Sequence, residues 1–147
     1  MPTWRNLYRL LAAASIEPTE CFFTNAYVGL KAGASPTGGF AGVRDQPFRK
    51  WCADFLLEQV EIMQPRVIAT LGVEASRFAG TLFGGLDGWA RGRLPESLPH
   101  CVVAGGREIG IVSLAHPSGY HGSLRNRQFN GHTGIDAEAA LLRASSR

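Results

Sequence analysis

The chain has 147 residues, of which 45% are hydrophobic and 18% charged, and its formal net charge is +3. This length suits one domain with a real core, and the high apolar fraction with a small net charge excludes a disordered chain. No run approaches the roughly 18 consecutive apolar residues of a transmembrane helix, and residues 1–5 lack the apolar core of a secretory signal. We therefore expect a single domain over residues 1–147, located in the cytoplasm.

Positive charge is concentrated toward the end of the chain. Residues 1–90 carry eight Lys or Arg and eight Asp or Glu, whereas residues 91–147 carry seven against four. The stretch from His116 to Gly134 contains two arginines, three histidines and no acidic residue. Such a stretch attracts a phosphate-bearing partner, and a solvated basic loop is an equally good interpretation of the charge alone.

Cysteines and glycine motifs indicate no cofactor. Cys21, Cys52 and Cys101 are odd in number and widely spaced, which argues against a disulfide framework, and no CxxC pair indicates zinc or an iron–sulfur cluster. We expect all three to be buried as small hydrophobic side chains. Neither GxxxxGK[ST] nor GxGxxG occurs, so no nucleotide cradle is indicated. The histidines of the basic stretch lack accompanying carboxylates, so we expect no metal.

The first 46 residues predict a helix, a strand and a long loop. Apolar residues at helical spacing predict a helix over about residues 3–15, with Thr3 as its N-cap. Residues 21–28 are aromatic and β-branched and predict a buried strand. Residues 29–46 are rich in small residues and predict a long loop.

The middle of the chain alternates helix, strand and helix. Asp45 is a suitable N-cap, with a proline in the first turn, for a helix with an apolar face that runs to about Gln64. Residues 66–71 predict a second buried strand. Gly72 then opens a helix predicted over about residues 73–83.

The last third predicts a hairpin, a polar loop and a final helix. Residues 100–104 and 108–115 flank two glycines and predict a β-hairpin, whose second strand ends at His116-Pro117-Ser118. An Ala/Leu-rich helix is predicted over about residues 136–145. The alternation of helices with buried strands predicts an α/β sandwich around a mostly parallel sheet. Ligands bind such sheets beyond the carboxyl ends of the strands, where Thr24-Asn25 and His116 stand.

Asn25 and His116 together suit the recognition of a pyrimidine. The side-chain amide of Asn25 has a donor beside an acceptor, which matches the carbonyl and N–H edge of uracil and mismatches that of cytosine. A histidine such as His116 could donate to the other carbonyl, where charge develops if the base departs as an anion. From the residues alone, the favoured interpretation is the ordinary one, in which a strand-end Asn bonds to its own backbone and a loop histidine is fixed by a proline.

Three stretches resemble the uracil-DNA glycosylase superfamily. They are Phe22-Phe-Thr-Asn-Ala-Tyr-Val-Gly-Leu30, Pro65-Arg-Val-Ile-Ala-Thr-Leu-Gly72 and Leu114-Ala-His-Pro-Ser118, in the order and spacing of that superfamily. The similarity spans essentially residues 3–135. It implies a three-layer α/β/α sandwich with a four-stranded, mostly parallel sheet, and hydrolysis of the N-glycosidic bond of uracil or a related damaged base flipped out of DNA.

The resemblance also implies roles for individual residues. Asn25, with Thr24 beside it, matches the position that reads the base, and His116 matches the histidine that stabilises the departing base. Flipping costs a few kcal/mol, so a wedge and phosphate anchors are required. The remaining matches concern contact with DNA. Ser118 matches a residue that contacts the DNA backbone, and Tyr120 matches the wedge that fills the gap in the base stack, with Leu124 as an alternative wedge. Arg125 and Arg127 suit the role of phosphate anchors, or else they are a pair of solvated arginines.

The chain departs from the superfamily pattern in two places. The branch that binds an iron–sulfur cluster has a cysteine shortly after the Asn, but residues 26–31 contain none, so we expect no cluster. Superfamily members also begin with a central strand and a Gly-rich loop that carries the water-activating residue, and nothing before Trp4 supplies them. Glu17 and Asp45 are chemically capable bases outside the expected position. Trp4 is either a stacking surface or part of the core.

The sequence therefore predicts a chain of glycosylase type whose first strand and water-activating loop are missing. Because an unpaired apolar strand edge is a liability, such a chain is truncated at its N-terminus, rearranges, or borrows a strand from a partner, and we favour truncation. We expect DNA as its partner and leave catalysis open. The alternatives are a non-catalytic nucleic-acid-binding module and an inactive remnant of the fold.

Overall fold

The computed structural model describes residues 2–29, 40–84, 86, 100–119 and 124–146. The helices are α1 (Pro2–Ala14), α2 (Gln46–Met63), α3 (Val73–Phe83) and α4 (Gly134–Ser145). The strands are β1 (Val67–Leu71), β2 (His100–Ala104), β3 (Arg107–Leu114), β4 (Gln128–Phe129) and β5 (His132–Thr133). Short 3₁₀ turns span Pro18–Glu20, Ala41–Arg44 and Pro117–Gly119. No helix in these ranges is long and apolar enough to cross a membrane.

The main sheet has three strands in the order β1-β3-β2. β1 runs parallel to β3, in a register that begins with Val67 opposite Gly110 and ends with Leu71 opposite Leu114. β2 pairs antiparallel with β3 across a two-residue turn at Gly105 and Gly106, both of which have positive φ. This confirms the predicted hairpin, because consecutive glycines adopt such a turn without steric cost. A second, two-stranded sheet pairs β4 with β5.

Helices cover both faces of the main sheet. On one face α1 and α4 pack against β3 and form the larger core, around Leu10, Val112 and Leu141. On the other face α3 packs against β1, and Ala79 and Leu86 contact Ile111. Alternate residues of β3 therefore enter opposite layers, as a strand buried on both faces requires. The predicted α/β sandwich is confirmed.

The predicted strand over residues 21–28 is wrong. Residues 21–25 are irregular, and the rings of Phe22 and Phe23 are 54% and 43% exposed. A strand forms only when a neighbour accepts and donates its backbone hydrogen bonds. In the described part of the chain, β1 pairs with β3 alone, so no ladder partner lies beside residues 21–25. The sheet accordingly has three strands here rather than four.

The helix boundaries agree closely with those predicted from the sequence, whereas the predicted burial of the cysteines agrees less well. Asp45 caps α2 as predicted, with its Oδ1 accepting from the Phe48 N–H at 3.0 Å. Thr3 lies inside α1 rather than at its N-cap, since the helix begins at Pro2. Cys52 is buried as expected. The predicted burial of the other two cysteines is wrong, because Cys21 is only half-buried and Cys101 is exposed.

Candidate functional site

His116 lies at the edge of the sheet where the two parallel strands end. It follows β3 by two residues, and Gly72, the first residue after β1, donates its N–H to the oxygen of Leu114 at 2.8 Å. Gly72 has φ +90°, and a Cβ at this position would come within 2.9 Å of the Cβ of His116. Glycine is therefore required here on two counts, since the chain takes a left-handed conformation and passes directly against the histidine.

The ring of His116 is held through one nitrogen. Its Nδ1 accepts from the main-chain N–H of Ser118 at 3.2 Å and lies 2.6 Å from the Ser118 Oγ. Because a main-chain N–H can only donate, Nδ1 acts as the acceptor and the neutral ring carries its proton on Nε2. His116 is exposed, and its Nε2 makes no hydrogen bond to a described residue. The site thus presents an oriented N–H donor to solvent.

The His116 loop, His116–Gly119, is tied to the first helix and to itself. The side chain of Asn6 in α1 donates to the oxygen of Pro117 at 2.7 Å, and both residues are buried. The N–H of Gly119 donates to the oxygen of His116 at 2.9 Å, which closes the 3₁₀ turn. These bonds fix the backbone on both sides of Ser118. Nothing in the sequence pattern singled out Asn6, because a lone polar residue in a helix normally faces water.

Arg127, expected on the surface as a phosphate anchor, lies in the core instead. It is fully buried; its Nε pairs with Oε1 of Glu138, and its Nη2 donates to the oxygen of Ser113 at 2.7 Å. The earlier expectation failed because arginine in a polar loop normally faces water. A signal was present: Glu138 shares a helical face with Leu141, Leu142 and Ser145, so a carboxylate there needs a buried partner. Burial raises the pKa of Glu138, and the opposing effects of Arg127 and the Ala115 N–H are smaller.

The other expected DNA contacts differ in exposure. Ser118 is exposed, and Arg125 is exposed in the turn at residues 124–126. Leu124, the alternative wedge, is half-buried. Tyr120 lies outside the described residues.

The segment that leads to Asn25 and the His116 loop both contact the start of α1, the first through Phe23 and the second through Pro117. Asn25 is exposed, and its side chain makes no hydrogen bond to a described residue. Its neighbour Thr24 donates its hydroxyl to Oε1 of Gln59 in α2 at 3.0 Å. Two residues before Asn25, the ring of Phe23 meets that of Trp4 edge to face, with centroids 5.4 Å apart. Trp4 is 44% exposed, so this part of α1 carries an accessible aromatic surface rather than core.

The two candidate bases lie at the starts of other elements. Asp45 caps α2, and Glu17 precedes the first 3₁₀ turn, where its N–H donates to the Glu20 carboxylate at 3.1 Å. Neither is hydrogen-bonded to the His116 loop within the described chain. Among the described residues, no group of three or more His, Cys, Asp or Glu side chains is placed to hold a metal ion.

Three hydroxyl groups form a buried cluster below the site. Thr70 Oγ1 lies 2.9 Å from Ser76 Oγ and 3.1 Å from Ser113 Oγ, and Ser76 also donates to the oxygen of Gly72 at 2.8 Å. The cluster joins the ends of β1 and β3 to the first turn of α3. It therefore supports the strand ends from which Gly72 and His116 extend, and sequence reasoning missed it because hydroxyl groups carry no periodic signal.

Comparison with protein families gives a match over most of the chain. The model of the uracil DNA glycosylase superfamily matches residues 3–131, a range that contains Asn25, His116 and Arg125. Glu138 lies beyond the matched range. No curated protein matches the chain.

Proposed function

The chain belongs to the uracil-DNA glycosylase superfamily, and from this premise we propose that it is a DNA glycosylase acting on uracil or a related damaged base flipped out of DNA. One observation carries the proposal: the exposed His116 ring whose Nδ1 accepts from Ser118, so that Nε2–H remains a donor. The superfamily alone supports a glycosylase-like role. The oriented donor supports the chemistry of this particular chain.

His116 serves the step in which the base leaves. When the C1′–N1 bond breaks, its electron pair goes to the base, and negative charge spreads onto the carbonyl oxygen next to N1. A fixed Nε2–H at that oxygen stabilises the leaving anion more than the bound base, which lowers the barrier. Water adds to C1′ and releases a proton to solvent, and the uracil anion takes up a proton when it leaves the site, so that neutral uracil and a 1′-hydroxyl result. Loss of one such donor typically costs about 100- to 1,000-fold in rate.

Asn25 serves base recognition in this proposal. Its amide is exposed and has no partner among the described residues, so it is free to bind a ligand with both its donor and its acceptor. Uracil offers the complementary pair of groups on one edge. Cytosine offers the reverse pattern and would leave both groups unpaired, a discrimination of about 1–3 kcal/mol. Thr24, held by Gln59, keeps this segment in place.

DNA binding relies on the surface around His116. Exposed Ser118 and Arg125 suit contacts with the phosphate backbone, and we assign Tyr120 the wedge that fills the gap in the base stack. Base flipping costs a few kcal/mol, which such contacts offset.

The proposal is tested by excision from an oligonucleotide that contains one uracil, read as strand breakage after alkali. Wild type should release uracil, and His116→Ala should lower the rate about 100-fold or more. Asn25→Ala should lower it while reducing the preference for uracil over cytosine. His132→Ala, an exposed histidine of β5, is the matched control and should retain the wild-type rate. Equal rates in all four proteins would refute the residue roles.

A second candidate function is DNA binding without catalysis. It is favoured by the two candidate bases: Asp45 caps α2, Glu17 precedes a 3₁₀ turn, and neither is hydrogen-bonded to the His116 loop within the described residues. This alternative predicts salt-dependent affinity for DNA with no release of uracil from any substrate. The excision assay and a binding titration on the same oligonucleotide separate the two functions.

A further inference from the structure

The backbone that leads into His116 is held by a buried ion pair. Glu138 Oε2 accepts from the N–H of Ala115 at 2.8 Å, and Arg127 Nη2 donates to the oxygen of Ser113 at 2.7 Å. Between them, the oxygen of Leu114 accepts from Gly72. Each of the three residues before His116 therefore has a main-chain group bound by another part of the chain.

The same pair also holds the turn that carries Arg125. The N–H of Arg127 donates to the oxygen of Leu124 at 3.1 Å, and the oxygen of Arg127 accepts from the N–H of Gly134 at 3.0 Å. The side chain of Arg127 thus joins the turn at residues 124–126 to the end of β3, and Glu138 joins both to α4.

Stability alone does not account for this arrangement. Apolar residues of similar volume often replace a buried ion pair without loss of stability, because desolvation cancels much of the attraction. What apolar residues do not provide is a pair of directed bonds to two chosen main-chain groups. The planar, forked guanidinium of Arg127 supplies one bond to Glu138 and another to Ser113.

We propose that Arg127 and Glu138 are positioning residues that fix His116 relative to the Arg125 turn. Neither touches DNA; both act through the main chain of residues 113–115. The proposal deepens the proposed function and rests on it for the kinetic part of its test. Since Glu138 lies outside residues 3–131, the partner that fixes the site comes from a part of the chain that the family match does not cover.

The experiment compares three variants with wild type. Arg127→Met/Glu138→Leu fills the volume with apolar groups and removes the directed bonds. Arg127→Lys keeps the opposite charge beside Glu138 but loses the fork that also reaches Ser113. Arg143→Met is the matched control: it removes another arginine bonded to a main-chain oxygen, that of Ala13, on the side of α4 that faces α1.

Two readouts are measured in each folded protein. The first is the ¹⁵N chemical shifts of the His116 ring, assigned with His116→Gln, which report whether the proton stays on Nε2. The second is the split between kcat and KM for uracil excision. Misplacement of a catalytic group by about 1 Å can cost about 100-fold in rate. We therefore expect kcat to fall about 10- to 100-fold, with KM within about threefold of wild type, in the Met/Leu and Lys variants.

The outcomes are distinct. In support, the ring signals of the Met/Leu and Lys variants shift toward a mixture of tautomers, while Arg143→Met retains wild-type signals and kcat. The proposal would be overturned if Arg127→Lys kept the wild-type ring signals and kcat, because a positive charge beside Glu138 would then be enough to position His116 without the bond to Ser113. If the Met/Leu variant does not fold, the Lys variant alone decides the question. If wild type releases no uracil, the proposed function fails, and the ring signals alone still decide the positioning role.

Discussion

The side-chain amide of Asn6 donates to the main-chain oxygen of Pro117, 111 residues later in the chain, over 2.7 Å. Both residues are buried, so the bond is made away from water. It joins the N-terminal half of α1 to the middle of the His116 loop. Trp4, two residues before Asn6, contacts Phe23 in the segment that leads to Asn25. The start of α1 thus bridges the two segments that carry the proposed base-reading and charge-stabilising residues.

Removing the Asn6 amide should lower the stability of the protein, because it removes a bond that holds the His116 loop. In Asn6→Ala the buried oxygen of Pro117 loses its donor, which should lower the free energy of unfolding by about 1–3 kcal/mol. Urea denaturation followed by circular dichroism measures this. The control is Arg5→Ala, at the neighbouring exposed position of α1. Equal midpoints for the two variants would contradict the prediction.

A side chain at Gly72 should disturb His116 beyond its effect on backbone strain. Gly72→Ala places a Cβ within 2.9 Å of the Cβ of His116, at φ +90°. Gly84→Ala is the control for strain alone, since φ there is +75° with nothing within 4 Å of a Cβ. Each should lose about 1–3 kcal/mol of stability from strain. Only Gly72→Ala should also lower the rate of uracil excision, by about 10-fold or more. If Gly84→Ala lowered this rate as much, the loss would come from backbone strain and not from the new Cβ pressing on His116.

No side chain should fit at Gly110, because this residue of β3 lies directly against the end of α4. A Cβ there would overlap the main-chain oxygen of Ser145, which has no room to move because α4 packs against β3. We expect Gly110→Ala to cost about 3 kcal/mol or more in thermal or urea unfolding. In a chain that ends at Ala144 the overlap is gone, so the same substitution should cost much less there. Equal costs in the two chains would show that the overlap is not the cause.

The buried carboxyl of Glu138 should give stability a specific dependence on pH. Burial raises its pKa in the folded protein above 4.5, its ordinary value. The folded state therefore holds this proton more tightly than the unfolded chain does. The stability that results is fully present below pH 4.5 and is lost as the pH rises through the raised pKa.

The matched variant for this prediction is Glu138→Gln, whose amide does not titrate. Urea unfolding of wild type and variant at several pH values gives the difference in their free energies of unfolding. This difference should move against wild type as the pH rises above 4.5. A difference that moves the opposite way would mean that the attraction of Arg127 outweighs burial.

Only one of the two loop arginines should matter directly for DNA binding. Arg125→Ala removes an exposed charge and should reduce the slope of log K against log salt by about 1 in a fluorescence anisotropy titration. Lys50→Ala is the control, because Lys50 is exposed on α2 and paired with Asp54 at 2.6 Å. An unchanged slope in Arg125→Ala would remove this residue from the DNA interface.

Local sequence signals determined much of the secondary structure. The helix after Gly72 and the hairpin at Gly105-Gly106 were predicted within a residue or two, as was the Asp45 cap. Each depends on residues a few positions apart, because caps and turns are formed by neighbours in the chain. The resemblance of three short stretches also identified the superfamily, which the family match confirms.

The tertiary structure alone decided which groups are paired and buried. Residues 21–25 have the composition of a strand, but a strand needs a hydrogen-bonded neighbour, and the described sheet provides none beside them. Arg127 has the sequence context of a surface arginine, yet Glu138 and the main chain of β3 enclose it. Periodicity and composition measure an average tendency along the chain. Burial, ion pairing and strand pairing depend on residues brought together from distant positions, so they emerge only when the chain has folded.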